Sequence, residues 1–414
     1  MKSMKKLVLV GLVLLASVMV LVGCKMEPEV PPAKLDSITS LVQSAFNTKD
    51  EIGDTMMIVV TYDNGTTKTV KGTIISDSSE LTQSHGLNKE VTVSYSEGGI
   101  TKEATFTIDV ASYKFTETVQ NYEYPEGKTG TASTTSSPTV ENPVYKKFGD
   151  YPQTIKDGNV TIGSGRLSRG DLVYQVGTDG NYYVQAGNDY YKVEPIVWRV
   201  LTNDYEVSGE NRELKSTGQA LLLAENILTG GIQWDDDKNN YMESRIRKWL
   251  NGNSGSGEQS DYSGDAGFLQ TAFTEEARDQ IADTKVDNSA RSTNPDSNGE
   301  ERNSGKNEYA CDNTIDKIFL LSEQEATMSD YGFGVYDAGG QGNTRIRVTT
   351  DYAEATGAIR IGTAGGWWWL RSPNFYMEVG VSFIYSDGNA NRTGNVNGPD
   401  VGIVPALSIS MNGN

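Results

Sequence analysis

A cysteine at position 24 closes the apolar stretch near the start of the chain and limits how the rest can be held together. The stretch runs from Leu7 to Val22 and follows a basic start with three lysines. This layout is typical of a secretory signal, so we expect cleavage after Gly23. The chain has 414 residues and one other cysteine, Cys311. With Cys24 modified, no intrachain disulfide is available to the fold.

The four residues at the expected cut, Leu21-Val22-Gly23-Cys24, resemble a bacterial lipobox. The resemblance implies that residues 1–23 are removed and that Cys24 becomes an N-terminal lipid anchor. Two or more acyl chains hold a protein stably on a bilayer, so we expect a protein tethered to the cell envelope. A transmembrane helix is the alternative, but the apolar run is short for a span. Lys25 favours the outer membrane surface, as in many Gram-negative lipoproteins.

Composition removes several function classes. The net charge is −19 and the pI is about 4.6, which argues against nucleic acid as a partner, because such binding depends on Lys and Arg. The single histidine, His85, lies in a polar stretch, so Ser-His-Asp chemistry and His/Cys zinc sites are disfavoured. We predict no catalytic residue, no metal and no cofactor, although calcium binding and carboxylate chemistry stay open.

Short strands separated by turn signals predict a small β domain over residues 35–111, after a proline-containing tether over residues 24–34. One predicted hairpin joins Met57–Tyr62, through Asp63-Asn64-Gly65, to a strand near Thr67–Val70. A second joins Val91–Tyr95 to Ala104–Ile108. The pattern resembles bacterial immunoglobulin-like modules, which implies an all-β sandwich that acts as a spacer.

Residues 112–145 are predicted to be a linker, because 129–139 is almost all Thr, Ser, Gly and Ala and cannot bury a core. The remaining residues, 146–414, are enough for one substantial core. Apolar runs in it predict strands at 196–201, 221–224 and 318–321, and helical spacing predicts helices at 242–250 and 274–281. Mixed strands and helices place this domain in the α+β class.

Several blocks of this C-terminal domain resemble a widespread bacterial domain of uncharacterised function, the DUF6273 group. The blocks are Phe148-Gly149-Asp150-Tyr151-Pro152-Gln153, Pro195–Leu201, Ser244–Asn251, Phe319–Ser322, Trp368–Pro373, Gly388 and Pro405-Ala406-Leu407. With the signal and the tail, they are most similar to the treponemal variable proteins. That resemblance implies a C-type lectin-like fold of the formylglycine-generating-enzyme subtype. It also implies a variable C-terminal region, in which a retroelement's reverse transcriptase copies a template repeat and replaces its adenines with mixed bases. Val404 departs from the pattern, which commonly has Arg there.

The tail fits such diversification. Adenine mutagenesis of Asn codons that end in a pyrimidine cannot produce Lys, Glu, Gln, Met or Trp, and none of these occurs from Val379 to Ser410. Met377 and Glu378 do not fit this rule. A Gly/Asn-rich turn region would lack the same residues and is the alternative. With the flanking blocks, we favour a variable region over about residues 374–404.

The residue types of this region suit ligand binding, because Tyr with Ser, Gly and Asn is typical of antibody binding surfaces. Alternation from Val379 to Ile384 predicts a strand with one face in the core and the other toward the ligand. The predicted contacts are Phe375, Tyr376, Met377, Glu378, Ser382, Ile384, Tyr385, Ser386, Asn389, Arg392, Thr393, Asn395, Asn397 and Asp400.

Four of these residues are the predicted anchors of the ligand: Phe375, Tyr376, Ile384 and Tyr385. Glu378, Arg392 and Asp400 are the predicted polar specificity contacts. Consecutive strand residues alternate faces, so at least one of Trp367, Trp368 and Trp369 should be in the core; carbohydrate stacking is the alternative. For Arg371 we expect an internal ion pair.

The resemblance therefore implies a lipid-anchored surface protein that binds a protein or glycan of a host or bacterial surface. One rival is an enzyme like the formylglycine-generating enzyme, which relies on active-site cysteines, whereas only Cys311 is present. A second is a calcium-dependent lectin that uses Asp235–Asp237 and Asp312-Asn313, although the usual sugar-binding triplets are absent. A third is an adhesive or structural lipoprotein of fixed sequence.

Overall fold

The computed structural model describes residues 32–124, 143–208, 214–252, 267–295, 308–333, 342–362 and 365–410. The predicted signal, Cys24, most of the tether and residues 125–142 of the predicted linker lie outside these ranges. Of the described residues, 45% lie in strands and 11% in helices. The protein is therefore mostly β. The predicted α+β class is wrong, and the arrangement does not show the C-type lectin-like fold.

Residues 35–111 form a six-stranded sheet with its own apolar core. Its strands are β1 (Leu35–Leu41), β2 (Ala45–Asn47), β3 (Thr55–Tyr62), β4 (Thr67–Ile74), β5 (Gly86–Glu97) and β6 (Ile100–Ala111). Hydrogen bonds connect them in the order β1-β3-β4-β5-β6-β2. The strands thus belong to one continuous hydrogen-bonded sheet, in which β1 also contacts β6.

Local turn chemistry explains the two hairpins of this sheet. Gly65 ends the turn between β3 and β4, and Gly98-Gly99 joins β5 to β6; all three glycines have positive φ, which glycine adopts at little cost. Every second residue from Met56 to Val60 in β3 is buried, as a strand with one covered face requires. Both predicted hairpins are confirmed.

The rest of the chain forms a larger module of short helices and many strands. In chain order its elements are β7 (Gln120–Tyr122), β8 (Tyr145–Ile155), β9 (Leu167–Arg169), β10 (Leu172–Val176), β11 (Tyr182–Ala186), β12 (Asp189–Thr202), β13 (Glu206–Ser208), β14 (Leu214–Ser216), β15 (Gln219–Ala224), β16 (Asn226–Ile227), α1 (Arg245–Asn251), α2 (Phe268–Ala272), α3 (Glu275–Arg278), β17 (Thr284–Val286), α4 (Ala290–Thr293), β18 (Thr314–Asp316), β19 (Ile318–Phe319), β20 (Val348–Thr349), α5 (Asp351–Ala355), β21 (Trp368–Pro373), β22 (Gly380–Ile384), β23 (Ala390–Asn395) and β24 (Ala406–Ser410).

The centre of this module is a nine-stranded sheet that contains β12, its longest strand. One edge of β12 pairs with β8, and the other pairs first with β11 and then with β15. The last strand, β24, lies between β15 and β19. The C-terminal end of the described chain is therefore inside the sheet.

The helices are shorter than helical spacing predicted. The segment predicted as one helix over 242–250 is a 3₁₀ turn at 241–243 followed by α1, because Ser244 interrupts it and caps α1 by accepting a hydrogen bond from the Arg247 N–H. The helix predicted over 274–281 is four residues long, with Thr274 as its N-cap as expected. Each helix covers one or two turns, so sheet pairing dominates the architecture.

The predicted linker begins with residues that pack on the larger module. The buried Asp150 carboxylate accepts hydrogen bonds from the Tyr113 hydroxyl (2.7 Å) and the Thr116 N–H (2.7 Å). At the end of β6, the buried Asp109 carboxylate accepts from the Gly165 N–H (2.6 Å) of the larger module. These contacts attach the two modules directly.

No helix within the described ranges is long and apolar enough to cross a membrane.

Candidate ligand-binding surface

The predicted variable region is held at both ends by buried strands. β21 precedes it, and all six residues of that strand are buried; β24 follows it inside the large sheet. β21, β22 and β23 form a separate three-stranded sheet in that order. Trp368 and Trp369 are fully buried, which confirms that the tryptophan run supplies core residues.

The central strand of this sheet has no face available to a ligand. All five residues of β22 are buried, including Ser382 and Ile384, which were predicted as contacts. The prediction of one solvent face is wrong because β21 and β23 cover the edges of β22 and packed side chains cover both faces. The Ser382 hydroxyl instead donates to the buried Glu323 carboxylate (3.3 Å).

A loop of residues 374–379, here called the tip loop, projects between β21 and β22. Asn374 starts it: its Oδ1 accepts hydrogen bonds from the N–H groups of Tyr376 (2.6 Å) and Met377 (3.1 Å). Its Nδ2 donates to the Arg392 carbonyl in β23 (2.6 Å). This side chain thus imposes the turn and ties it to the neighbouring strand.

A second buried asparagine fixes the base of the tip loop. The Nδ2 of Asn239 donates to the carbonyl oxygens of Asn374 (3.2 Å), Met377 (2.8 Å) and Gly380 (2.8 Å). Asn239 is 1% exposed and Asn374 is 3% exposed. Buried amide donors that meet loop carbonyls remove the cost of unpaired backbone groups, so the loop has a defined conformation without regular structure.

The outer side chains of the tip loop are exposed and mostly apolar. Tyr376 is 77% exposed, Met377 47% and Val379 39%, and Glu378 is also exposed. The Phe375 ring is half-buried, lies against Tyr376 and faces the Arg392 guanidinium at 5.8 Å. Three neighbouring large apolar side chains in water form a patch that a partner could cover.

Arg392, predicted as a specificity contact, is committed to an internal ion pair. Its Nε and Nη2 donate to the carboxylate of Glu323, which is fully buried. Its side chain is 15% exposed. Because this carboxylate has little access to water, the arginine neutralises a charge of the interior and is not free to select a ligand.

The remaining predicted contacts lie in two groups. Asn395 pairs with Gly380, and the Val396 N–H donates to the Val379 carbonyl, so the exposed Asn395 and Asn397 adjoin the tip loop. Tyr385, Ser386 and Asn389 lie at the other end of the β22–β23 hairpin. A five-residue strand spans roughly 16 Å, which separates the two groups. Thr393 lies on β23 between the two groups, and Asp400 follows Asn397 in the chain; both residues are exposed.

Tyr385 differs from the exposed anchor that was predicted. Its half-buried ring contacts Trp367 (centroids 5.2 Å apart) and Phe383 (4.7 Å), and its hydroxyl accepts from Asn391 (3.1 Å). Tyr385 therefore mainly packs within the hairpin, and only part of its ring is exposed to a ligand. In the turn that follows, Asp387 accepts from the Asn389 backbone and amide, and Gly388 has a positive φ of 81°.

Arg371 forms the expected internal ion pair. Its guanidinium binds both carboxylate oxygens of Glu325, with Nη2 at 2.8 Å from Oε1, and the Tyr205 hydroxyl donates to the same carboxylate (2.6 Å). All three residues are buried. Because Arg371 belongs to β21, the pair connects this strand to the segment that contains Glu325.

The acidic run that suggested calcium has a structural use. Asp235 accepts backbone hydrogen bonds from Asp236 (2.8 Å) and Asp237 (3.3 Å), and its other oxygen accepts from the Arg245 N–H at the start of α1 (3.0 Å). Among the described residues, no group of three or more His, Cys, Asp or Glu side chains is placed to hold a metal ion. Burial raises the pKa of the Cys311 thiol, which keeps it in the protonated, less nucleophilic form.

A separate polar cleft of about 470 Å³ lies at the ends of β8 and β20. Gln153, Asn226, Thr349, Asp351 and Arg360 are among the residues that line it. Arg360 is held there by Asp351 (2.9 Å) and by the Thr349 carbonyl (2.7 Å). None of the predicted contact residues lines this cleft.

Asn239 and Glu323 carry the tip loop and Arg392, yet the sequence does not identify either of them. Asn239 lies in a polar run before α1, 135 residues from Asn374, and Glu323 follows a buried apolar segment. Neither position has a spacing or motif that distinguishes it from a solvated polar residue. Their roles depend entirely on contacts that folding creates.

The matched family is described as "Domain of unknown function (DUF6273)", and its model covers residues 217–411, slightly less than half of the chain. The matched range contains β21–β24 and the tip loop. No curated protein and no solved structure matches this chain.

We predict that Asn239→Ala will loosen the tip loop without unfolding the protein. Three carbonyl oxygens lose the Asn239 amide, although those of Met377 and Gly380 keep backbone donors. The loss should lower the free energy of unfolding by about 2 kcal/mol. Urea unfolding and hydrogen exchange of residues 374–380 would measure this. Asn397→Ala, at an exposed side chain, is the control and should change neither. Unchanged exchange in the Asn239 variant would contradict the assigned role.

A second prediction concerns Arg392. Arg392→Ala removes the guanidinium that neutralises the buried Glu323 carboxylate and should cost about 3–5 kcal/mol in unfolding free energy. The double variant Arg392→Leu with Glu323→Leu removes both charges and should recover much of that loss. Arg245→Ala, which breaks an exposed ion pair with Asp236, should cost about 1 kcal/mol or less. If Arg392→Ala were as mild as Arg245→Ala, Arg392 would be a surface residue after all.

Proposed function

We propose that this chain is a lipid-anchored cell-surface protein that binds a protein or glycan ligand non-covalently through the tip loop and the exposed residues beside it. The observation that carries the proposal is the tip loop itself: an exposed apolar patch on a backbone held by two buried asparagines. Aromatic and methionine side chains are enriched where binding energy concentrates. A loop that is already ordered loses little conformational entropy when it binds.

The anchor and the location of the protein belong to the same proposal. They are supported by the layout of residues 1–24 and by the lipobox-like Leu21-Val22-Gly23-Cys24. The acidic surface, with a net charge of −19, suits exposure to water and disfavours nucleic acid. The six-stranded sheet of residues 35–111 stands between the anchor and the larger module in the chain and would serve as the spacer.

We further propose that a retroelement diversifies the surface. The residue types from Val379 to Ser410 support this. The separation of exposed positions from buried strands in the region also supports it. Thr393, Asn395 and Asn397 are exposed, whereas the strands at the two ends of the segment, β21 and β24, are buried except for Ser410. Change at the exposed positions would leave the buried frame intact.

The binding proposal is tested by removing the apolar patch. The triple variant Tyr376→Ser, Met377→Ser, Val379→Ser should reduce binding to a glycan array or to a panel of extracellular host and bacterial surface proteins at least about tenfold, which is about 1.4 kcal/mol. Since these side chains are exposed, thermal stability should change little.

The matched control changes three exposed apolar residues elsewhere: Val42→Ser, Ile155→Ser and Val173→Ser. It should bind as the unchanged protein does. Equal binding by all three proteins, or loss of binding only with loss of folding, would contradict the tip loop as the ligand site. The array and the panel separate a glycan ligand from a protein ligand.

Diversification predicts a specific arrangement of DNA. A near-copy of the codons for residues 374–403 should lie close to the gene, with adenines at the mismatched codons and a reverse transcriptase gene beside it. Sequencing the locus decides this. If neither is found, the protein is a surface lipoprotein of fixed sequence, and the mutational test alone bears on its binding site.

A further inference from the structure

Two arginines lie in the interior of the larger module, and most of their guanidinium N–H groups have no hydrogen-bond acceptor among the described residues. Arg199 in β12 is 1% exposed, and Arg347, just before β20, is fully buried. Within the part of the chain that the structure describes, Nε, Nη1 and Nη2 of Arg199 form no hydrogen bond, and neither do Nε and Nη2 of Arg347. Nη1 of Arg347 donates to the Ile346 carbonyl (2.9 Å).

The two guanidinium groups share one small region of the core. Both face the Phe333 ring, at 4.8 Å for Arg199 and 6.0 Å for Arg347. Tyr145 is the direct cross-strand neighbour of Arg199, and its buried hydroxyl also has no partner among the described residues. Trp368 packs on the Arg347 side at 6.0 Å. The unpaired donors therefore converge from β8, β12 and the segment before β20.

Buried charges of both signs lie in this region. Glu225, which is 1% exposed, is the acidic residue whose field acts on both arginines. Among the described residues, its carboxylate shares no hydrogen bond with either guanidinium. Arg345, nearby in sequence, points its Nε to the Gly388 carbonyl (2.7 Å). The field of Glu225 therefore favours the charged form of both arginines, while most of their N–H groups have no hydrogen-bond acceptor among the described residues.

Such a cluster cannot be relieved by losing a proton. Burial, and then repulsion from Arg347, lowers the pKa of Arg199 to about 10, so the group is still protonated at neutral pH. An unpaired ion in a protein interior costs several kcal/mol. A bound negative charge that accepts the free N–H groups would offset that cost.

We propose that Arg199, Arg347 and Tyr145 bind a small oxyanion, a carboxylate or phosphate group, inside the larger module. The planar guanidinium fork matches the two oxygens of such groups. A bound oxyanion would supply the acceptors that these N–H groups lack among the described residues. The anion would join the large sheet to the segment that supports Trp368, and the inference does not depend on the tip-loop surface.

The test asks first whether the purified full chain carries the anion. Protein exchanged into Tris–chloride buffer is unfolded in urea and filtered, and the filtrate is analysed by ion chromatography. We expect about one phosphate or small carboxylate per chain, or, if the anion exchanges freely, an increase in Tm on titration with inorganic phosphate or acetate. Which of these two probes acts separates a phosphate site from a carboxylate site.

Three variants locate the site. Arg199→Lys keeps the charge but loses the fork, and Tyr145→Phe removes only a hydroxyl; each should weaken the response to the probe at least about tenfold, by analogy with the loss of one charge-assisted hydrogen bond. Arg245→Met, at a half-exposed arginine, should respond as the unchanged protein does.

The proposal is overturned if the unchanged protein releases no oxyanion and its Tm does not respond to phosphate or acetate. It is also overturned if chloride stabilises as well as the oxyanions do, or if Arg199→Lys and Tyr145→Phe respond as the unchanged protein does. The measurement on the unchanged chain decides the matter even if a variant fails to fold.

Discussion

Backbone hydrogen bonding along both edges of β12 is the interaction on which the larger module depends. β8 follows one edge from Ile155 to Tyr145, and the other edge passes from β11 to β15. Because β15 in turn pairs with β24, the chain that leaves the tip loop is drawn back into the central sheet. The position of the surface loops is therefore a consequence of sheet pairing far from them.

Beneath those loops, buried polar side chains form the hydrogen bonds that regular structure supplies elsewhere. Asn239 and Asn374 supply hydrogen bonds to the tip loop, and Glu323 holds Arg392 on β23. Because these partners are shielded from water, each is costly to remove and the backbone above them is well defined. Outward side chains such as Tyr376 and Met377 contribute little to that frame, so the surface and its support are separable.

Much of the local structure could be predicted, and the reason is that its causes are local. The hairpin glycines at 65 and 98–99, the alternation in β3 and the Thr274 cap act within a few residues. The class of the fold could not, because short segments with helical spacing compete with sheet pairing that only distant strands supply. The same applies to the site: Ser382 and Ile384 are buried because side chains from other parts of the fold cover both faces of β22.

By itself the sequence determined the two hairpins and the burial of the tryptophan run. It also indicated that the tail carries exposed residues such as Tyr376 and Met377. The tertiary structure alone decided which tail residues reach water, that Arg392 serves the interior, and that Arg199 and Arg347 meet in the core. Those outcomes arise from partners tens to more than a hundred residues apart, such as Asn239 and Asn374. A pattern of neighbouring residues cannot encode such a contact, because burial and pairing exist only once the sheets have assembled.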